Sequence, residues 1–310
     1  MENRNRTITV IGHKAPDSDT LCSTIACAEL LNRLGYKAEA VTASKINKES
    51  RFILDYLGIE EPEIIDNGKG RTFVLVDHSS WSLGVDGLKD AEILEVIDHH
   101  RISDFATTQP VSFRNEIIGS TATIVATMFR ENQIPIPANL AGLLLGAILS
   151  DTLVFQSPTS TRKDVDTANI LAALADLDIE VFSREMFTAS ASSMKQSIYE
   201  MIVQDIKFYD IGGIRTMISQ TIVPSLEAIR SRDIEISRDM GRLYEKKELD
   251  LLVVCFTSVL EDGSIFYAVG EKAEKILDIY PDAPGEKHSF QHGVLSRKKQ
   301  IVPAIHEALE

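Results

Sequence analysis

The chain reads as an α/β protein: an N-terminal, mostly parallel sheet with helices on both faces, followed by a smaller C-terminal α+β domain. Three observations predict this. Over the first 188 residues, strand-length apolar runs alternate with amphipathic helical stretches, the pattern of a parallel sheet covered by its crossovers. Several of those runs end in polar, chemistry-bearing segments, as strands do when they deliver side chains to the carboxyl edge of an open sheet. Beyond about Met186 the alternation changes character, and two strand-like runs meet at Gly212-Gly213, which fits a tight hairpin.

In order, residues 7–11 form a first buried strand that ends in Gly12-His13-Lys14-Ala15-Pro16-Asp17-Ser18-Asp19. Pro16 forces a turn, and Asp17, Ser18 or Asp19 caps the next helix. Leu21, Ile25, Ala28 and Leu31 mark that helix's apolar stripe, and Gly35 stops it. A short strand at 38–41 and a helix at 48–57 follow. Residues 73–76 are a third strand ending in Asp77-His78, and residues 93–97 a fourth ending in Asp98-His99-His100. Residues 111–113 read as another short strand, and 120–129, 138–149 and 163–174 as helices, with Ser150-Asp151-Thr152 directly after the second. The small polar run at 188–193 suits a linker, so the expected domains are 1–188 and 196–310, joined by 189–195. In the second, strands are expected near 206–210, 214–221, 251–257 and 264–269, with helices near 224–230, 232–246 and 272–279.

Composition narrows the function classes. Apolar content of 44% and charged content of 25% are ordinary for a globular protein. The longest apolar stretch, 140–149, is too short to span a bilayer, and no basic segment followed by an apolar core opens the chain. The three cysteines, Cys22, Cys27 and Cys255, lack zinc spacing, so a reducing, cytoplasmic location with buried thiols is expected. A net charge of −14 argues against a nucleic-acid partner, which needs a basic face. An anionic small substrate stays open, because acids around metal ions are locally neutralised.

His13, Asp17, Asp19, Asp77, His99, His100 and Asp151 come from four segments that a parallel sheet would bring to one edge. Imidazole and carboxylate without thiolate suit Mn²⁺, Co²⁺, Fe²⁺ or Mg²⁺. Four aspartates with the histidines exceed what one octahedral ion needs, so two ions sharing a bridging aspartate are expected. Such a pair, about 3.5–4 Å apart, activates a water for phosphoryl displacement. Each residue also has a plainer reading, as a helix cap or strand-end turn, and convergence of the segments on one edge outweighs it. Ser296-Arg297-Lys298-Lys299-Gln300 is a compact basic cluster between Gly293 and the apolar 301–303. Its plainer reading is a solvated charge run, against which stands the need of a dinuclear phosphate site for Arg and Lys. Lys207 is a weaker candidate of that kind.

These segments resemble the four N-terminal motifs of the DHH phosphoesterases. Ser296 to Gln300 resembles the C-terminal signature of one branch, the manganese-dependent (family II) inorganic pyrophosphatases. The resemblance implies a DHH-type catalytic domain with His13, Asp17 and Asp77 on one ion. Asp19, Asp77, His99 and Asp151 would hold the other, with Asp77 bridging. It further implies His100 facing the substrate as hydrogen-bond donor or general acid, and Lys207, Arg297 and Lys298 on the phosphates. The expected cofactors are two Mn²⁺ or Co²⁺ per subunit, with Mg²⁺ accompanying pyrophosphate. Also implied are an active site in the cleft between the domains and a homodimer formed through the N-terminal domain. Ser79-Ser80 and Gln156 depart from the Asn-Glu and Lys that the family commonly carries. A short-chain exopolyphosphatase, a single-strand exonuclease and a non-catalytic metal sensor remain as alternatives.

Overall fold

The computed structural model describes residues 6–190, 196–279 and 288–309. The chain divides into two compact units, Met1–Ala189 and Ser190–Glu310.

The first unit holds β1 (Thr7–Ile11), α1 (Ser18–Arg33), β2 (Lys37–Thr42), α2 (Lys48–Leu57), β3 (Glu63–Ile64), β4 (Thr72–Val76), β5 (Glu92–Asp98), β6 (Ser112–Asn115), α3 (Thr121–Glu131), α4 (Ala138–Asp151), α5 (Arg162–Ala175) and α6 (Ile179–Ser190). Its strands lie in the order β3-β2-β1-β4-β5-β6 and every pairing is parallel. The order reverses between β1 and β4, and the crevice at such a reversal is where open α/β sheets bind ligands. Helix α1 packs on β1, β2 and β4 and, behind them, against α3 and α4. Helix α4 is apolar all round and buried from Leu140 to Leu149, as a helix enclosed by others must be. On the sheet's other face Ile11, Val41, Phe73, Leu75 and Val96 pack beneath Val85 and Leu88, the latter in a single 3₁₀ turn. The two-residue strand β3 is too short to announce itself in the sequence.

The polar run at 188–193 is helical through Ser190 at the end of α6. Residues 191–195, the rest of the expected linker, lie outside the described residues.

The second unit holds α7 (Ile198–Gln204), β7 (Ile206–Ile211), β8 (Ile214–Ile222), α8 (Leu226–Arg230), α9 (Asp233–Lys247), β9 (Leu251–Ser258), β10 (Gly263–Gly270), α10 (Ala273–Ile279), β11 (Ser289–His292) and α11 (Val302–Leu309). The sheet order is β11-β10-β9-β8-β7, with only β8 and β9 parallel. Strand β9 is buried on both faces. Leu252, Val254 and Phe256 pack with α7, α8 and α9, while Leu251, Val253 and Cys255 pack with α10 and α11. Gly212 and Gly213 turn β7 into β8 with φ of 60° and 81°, backbone that L side chains resist. All three cysteines are buried and free. Among the described residues no helix is long and apolar enough to cross a membrane.

Candidate metal centre

The loop between β1 and α1 begins at Gly12, where an added Cβ would meet Thr20 Cγ2 at 2.2 Å. A bare glycine therefore lets α1 close down on the strand end. Asp17 is the N-cap of α1: its Oδ1 accepts from Thr20 N at 2.9 Å. Its other oxygen faces His13 Nε2 at 3.5 Å. Capping and the ligand role are therefore compatible, since each uses a different oxygen.

Asp77 follows β4 with φ 63°, a strained conformation for a non-glycine residue and one that concentrates at functional sites. It is 1% exposed and two hydroxyls hold it, Thr20 Oγ1 on Oδ2 at 2.5 Å and Thr121 Oγ1 on Oδ1 at 2.9 Å. The two oxygens look in different directions. Oδ2 lies 3.7 Å from His13 Nε2, and Oδ1 lies 3.5 Å from His99 Nε2. Possible ligand atoms fall into the groups His13, Asp17, Asp77; Asp77, His99, His100; and Asp19, His99, Asp151, with all atoms of a group within 4.8 Å of one another.

Asp19, in the first turn of α1, is 1% exposed. Its Oδ1 accepts from Ser23 Oγ, Ser120 Oγ and Ala122 N, and its Oδ2 from Thr121 N at 2.7 Å. The N-terminus of α3 thus docks on a carboxylate of α1, as the helix dipole favours. The remaining lone pair of Oδ2 looks toward His99 Nε2, 3.8 Å away. Asp151, the last residue of α4, brings Oδ2 to 3.2 Å of the same nitrogen.

His99 Nδ1 donates to Ile118 O at 3.0 Å, which leaves Nε2 as the free lone pair, aimed among Asp19, Asp77 and Asp151. Among the described residues that buried nitrogen has no hydrogen-bond partner. Asp98 Oδ1 collects His99 N, His100 N and His100 Nδ1 at 2.8–3.0 Å, so one buried carboxylate holds both backbone amides of the His-His pair and the ring of His100.

The electrostatics ask for a cation. Burial, then the neighbouring Asp77, pushes the Asp19 carboxyl up to about 7. Burial, then Asp17, lifts Asp77 to about 6. Burial and Asp19 also raise Asp151 well above the ordinary carboxylate range. Burial disfavours a charged His99, but Asp19, Asp77 and Asp151 overcome it and raise the ring to about 9. Hard oxygen donors, an imidazole nitrogen whose proton a metal ion can displace and mutually repelling acids fit divalent metal ions. His78 is of another kind. Burial lowers it to about 4, its Nδ1 turns to Ser80 O, and it joins none of the ligand groups.

Lys207, Arg297 and Lys298 belong to the second unit. Ser296 caps a π-helical turn, Arg297–Ile301, by accepting from Lys299 N. Gly293, with φ 72°, precedes it. Gln300 accepts from Leu295 N and Ser296 N and donates to Gly293 O, and Gln220 Oε1 accepts from Arg297 N. The Arg297 fork donates to Asp205 O at 3.0 Å and Asp205 Oδ1 at 2.9 Å, which draws it to the start of β7, two residues before Lys207. Lys207 and Lys298 are exposed.

Sequence reasoning missed Thr20, Ser120, Thr121, Gln220 and Asp205. Ser120 and Thr121 do carry a helix-start signal, but nothing in the sequence says that their donors meet Asp19 about a hundred residues earlier. Ser80, one of the departures noted above, donates to Asp104 Oδ1 at 2.6 Å and so pins the loop after β5.

Residues 7–148 match the DHH family, N-terminal domain, and residues 184–308 match the DHHA2 domain. A Bacillus subtilis manganese-dependent inorganic pyrophosphatase is 36% identical over 304 residues, covering 97% of this chain and 98% of that protein. A Bacillus pumilus relative, named "Probable manganese-dependent inorganic pyrophosphatase", is 39% identical over 302 residues with the same coverages. The crystal structure of a Methanococcus jannaschii protein assigned to the family II inorganic pyrophosphatases aligns with a TM-score of 0.72 at 33% identity, covering 97% of this chain and 99% of that one. Two matched domains in series and identity running through nearly the whole length make this chain a member of the manganese-dependent inorganic pyrophosphatase family.

Proposed function

We propose that this protein hydrolyses inorganic pyrophosphate to two phosphates at a dinuclear divalent-metal centre. The observation that carries the reading is Asp77, whose two oxygens each serve a different group of His and Asp side chains. In this reading His13, Asp17 and Asp77 would hold one ion, and Asp19, Asp77, His99 and Asp151 the other. Two Mn²⁺ or Co²⁺ per subunit would supply Lewis-acid charge and activation of water there, and Mg²⁺ would accompany the substrate.

The chain's own residues do the rest. Asp98 takes Nδ1 of His100, so Nε2 is left to face the substrate, where it donates a hydrogen bond or a proton to the leaving phosphate. Arg297, held in place by Asp205, offers its remaining N–H donors to phosphate oxygens, with Lys298 and Lys207 as point charges beside it. The free thiols suit a reducing cytoplasm. The homodimer implied by the family would form through the first unit, whose last strand, β6, pairs on one side only among the described residues.

The test is phosphate release from Mg-pyrophosphate after preincubation with Mn²⁺, Co²⁺ or Mg²⁺ alone. Fastest turnover is expected after Mn²⁺ or Co²⁺, with tripolyphosphate, longer chains and dinucleotides far slower. Equal rates on the longer chains would move the assignment to an exopolyphosphatase.

A further inference from the structure

Glu49 stands in the first turn of α2, behind its N-cap Asn47. Its Oε1 accepts from Ser18 Oγ at 2.7 Å and, in a short bond, from Ser150 Oγ. Ser18 lies between Asp17 and Asp19, and Ser150 lies next to Asp151. One carboxylate oxygen therefore ties together two chain segments that carry candidate ligands, from the start of α1 and the end of α4. Ser18 is fully buried and also meets Ser50 Oγ at 3.2 Å.

The contact continues a packing seam. On α4 the residues Gly142, Gly146 and Ser150 recur every fourth position, and on α2 so do Leu57, Ile53 and Glu49. A Cβ at Gly142 would meet Leu57 Cδ2 at 2.6 Å, and one at Gly146 would meet Ile53 Cδ1 at 3.0 Å. The two glycines bring the antiparallel helices close, and the next rung is the polar pair Ser150–Glu49. An acid in a helix's first turn favours that helix through its dipole. That role alone needs no bonds from two other helices, and it is served as well by an acid placed far from Asp17, Asp19 and Asp151.

We propose that Glu49 is a positioning residue for the metal centre, setting the separation of Asp19 and Asp151. The inference rests on the reading above that places both on one ion. Its test is direct Mn²⁺ titration of the full chain, stripped with chelator, without substrate. Glu49→Ala should weaken one of the two Mn²⁺ affinities about 10-fold or more, as loss of a group that orients ligands does elsewhere. The other affinity should change less, and Glu49→Gln, which keeps one acceptor oxygen, should fall between. Adding Ser150→Ala to Glu49→Ala should cost nothing more. Both Mn²⁺ affinities within about twofold of the parent's in a folded Glu49→Ala chain would overturn the proposal. Should that variant not fold, Ser150→Ala alone carries the test, with several-fold weaker binding expected and unchanged binding decisive against. Loss of Mn²⁺ affinity in a protein whose parent releases no phosphate from pyrophosphate would support this proposal while refuting the pyrophosphatase reading.

Discussion

The acidic cluster of the first unit and the basic cluster of the second are built in opposite ways. Asp19 and Asp77 are buried, and backbone amides and hydroxyls hold their oxygens before any ligand arrives. Their mutual repulsion is a cost that only a proton or a cation removes, so the fold itself calls for metal. Lys207 and Lys298 stand in water, and Arg297 alone is held, by Asp205. Exposed cations cost little to keep and gain their worth only when an anion displaces water from them. Changes in the first cluster should therefore alter metal content and stability. Changes in the second should alter substrate affinity and leave both intact.

The largest expected effect belongs to Asp77→Asn. Removing the negative charge and one of the two oxygens of the shared carboxylate should lower phosphate release by about a thousandfold or more, with loss of bound Mn²⁺, because metal activation of the nucleophile is the main rate term. Near-normal turnover with Mn²⁺ retained would break the bridging assignment. Next is Arg297→Ala. Losing a charge-assisted fork, worth about 1.5–3 kcal/mol, should raise KM for pyrophosphate roughly 10- to 100-fold, with Mn²⁺ content unchanged. Metal loss in that variant would erase the contrast between the clusters.

Metal removal should show the cost stored in the acidic site. In the metal-free protein Asp19 moves from 3.8 to about 7, Asp77 from 3.8 to about 6, and His99 from 6.5 to about 9. Each raised value means that the folded chain holds a proton the unfolded chain has released. The stability these groups contribute is fully present below their unfolded values and is lost as pH rises through their folded ones. Metal-free Tm should therefore fall between about pH 4 and 9, and the Tm gain on adding Mn²⁺ should widen over that range. A gain independent of pH, measured by calorimetry, would count against the site as the source. The smallest effect is expected from Lys207→Ala: stability within about 0.5 kcal/mol, as for other surface changes, and a several-fold rise in KM.

Much of this was legible in the sequence because the signals are local. Apolar runs of strand length, Gly35 as a helix stop, and the Gly212-Gly213 turn each act over a few residues. The candidate ligands were legible because every one of them lies at the start or the end of a regular element: Asp17 and Asp19 open α1, Asp151 ends α4, and His13, Asp77, His99 and His100 come just after strands. Harder to see were elements whose partners lie far away. Strand β3 spans two residues and exists only by pairing with β2, and β11 exists only by pairing with β10. The small polar residues at 188–190 read as linker, yet they extend α6, whose Phe182, Met186 and Phe187 are buried.

The sequence by itself determined the ordering of strands and helices and the chemistry available at their ends: imidazole and carboxylate in one half, guanidinium and ammonium in the other. The tertiary structure decided which oxygen of each carboxylate is spent on the fold and which is left over. Asp17 caps with one oxygen and faces His13 with the other, Asp19 spends nearly all its capacity on α3, and Asp77 divides its two oxygens between two groups. A sequence names a carboxylate, but hydrogen bonding assigns its lone pairs one by one, and the donors that do so come from residues distant in the chain.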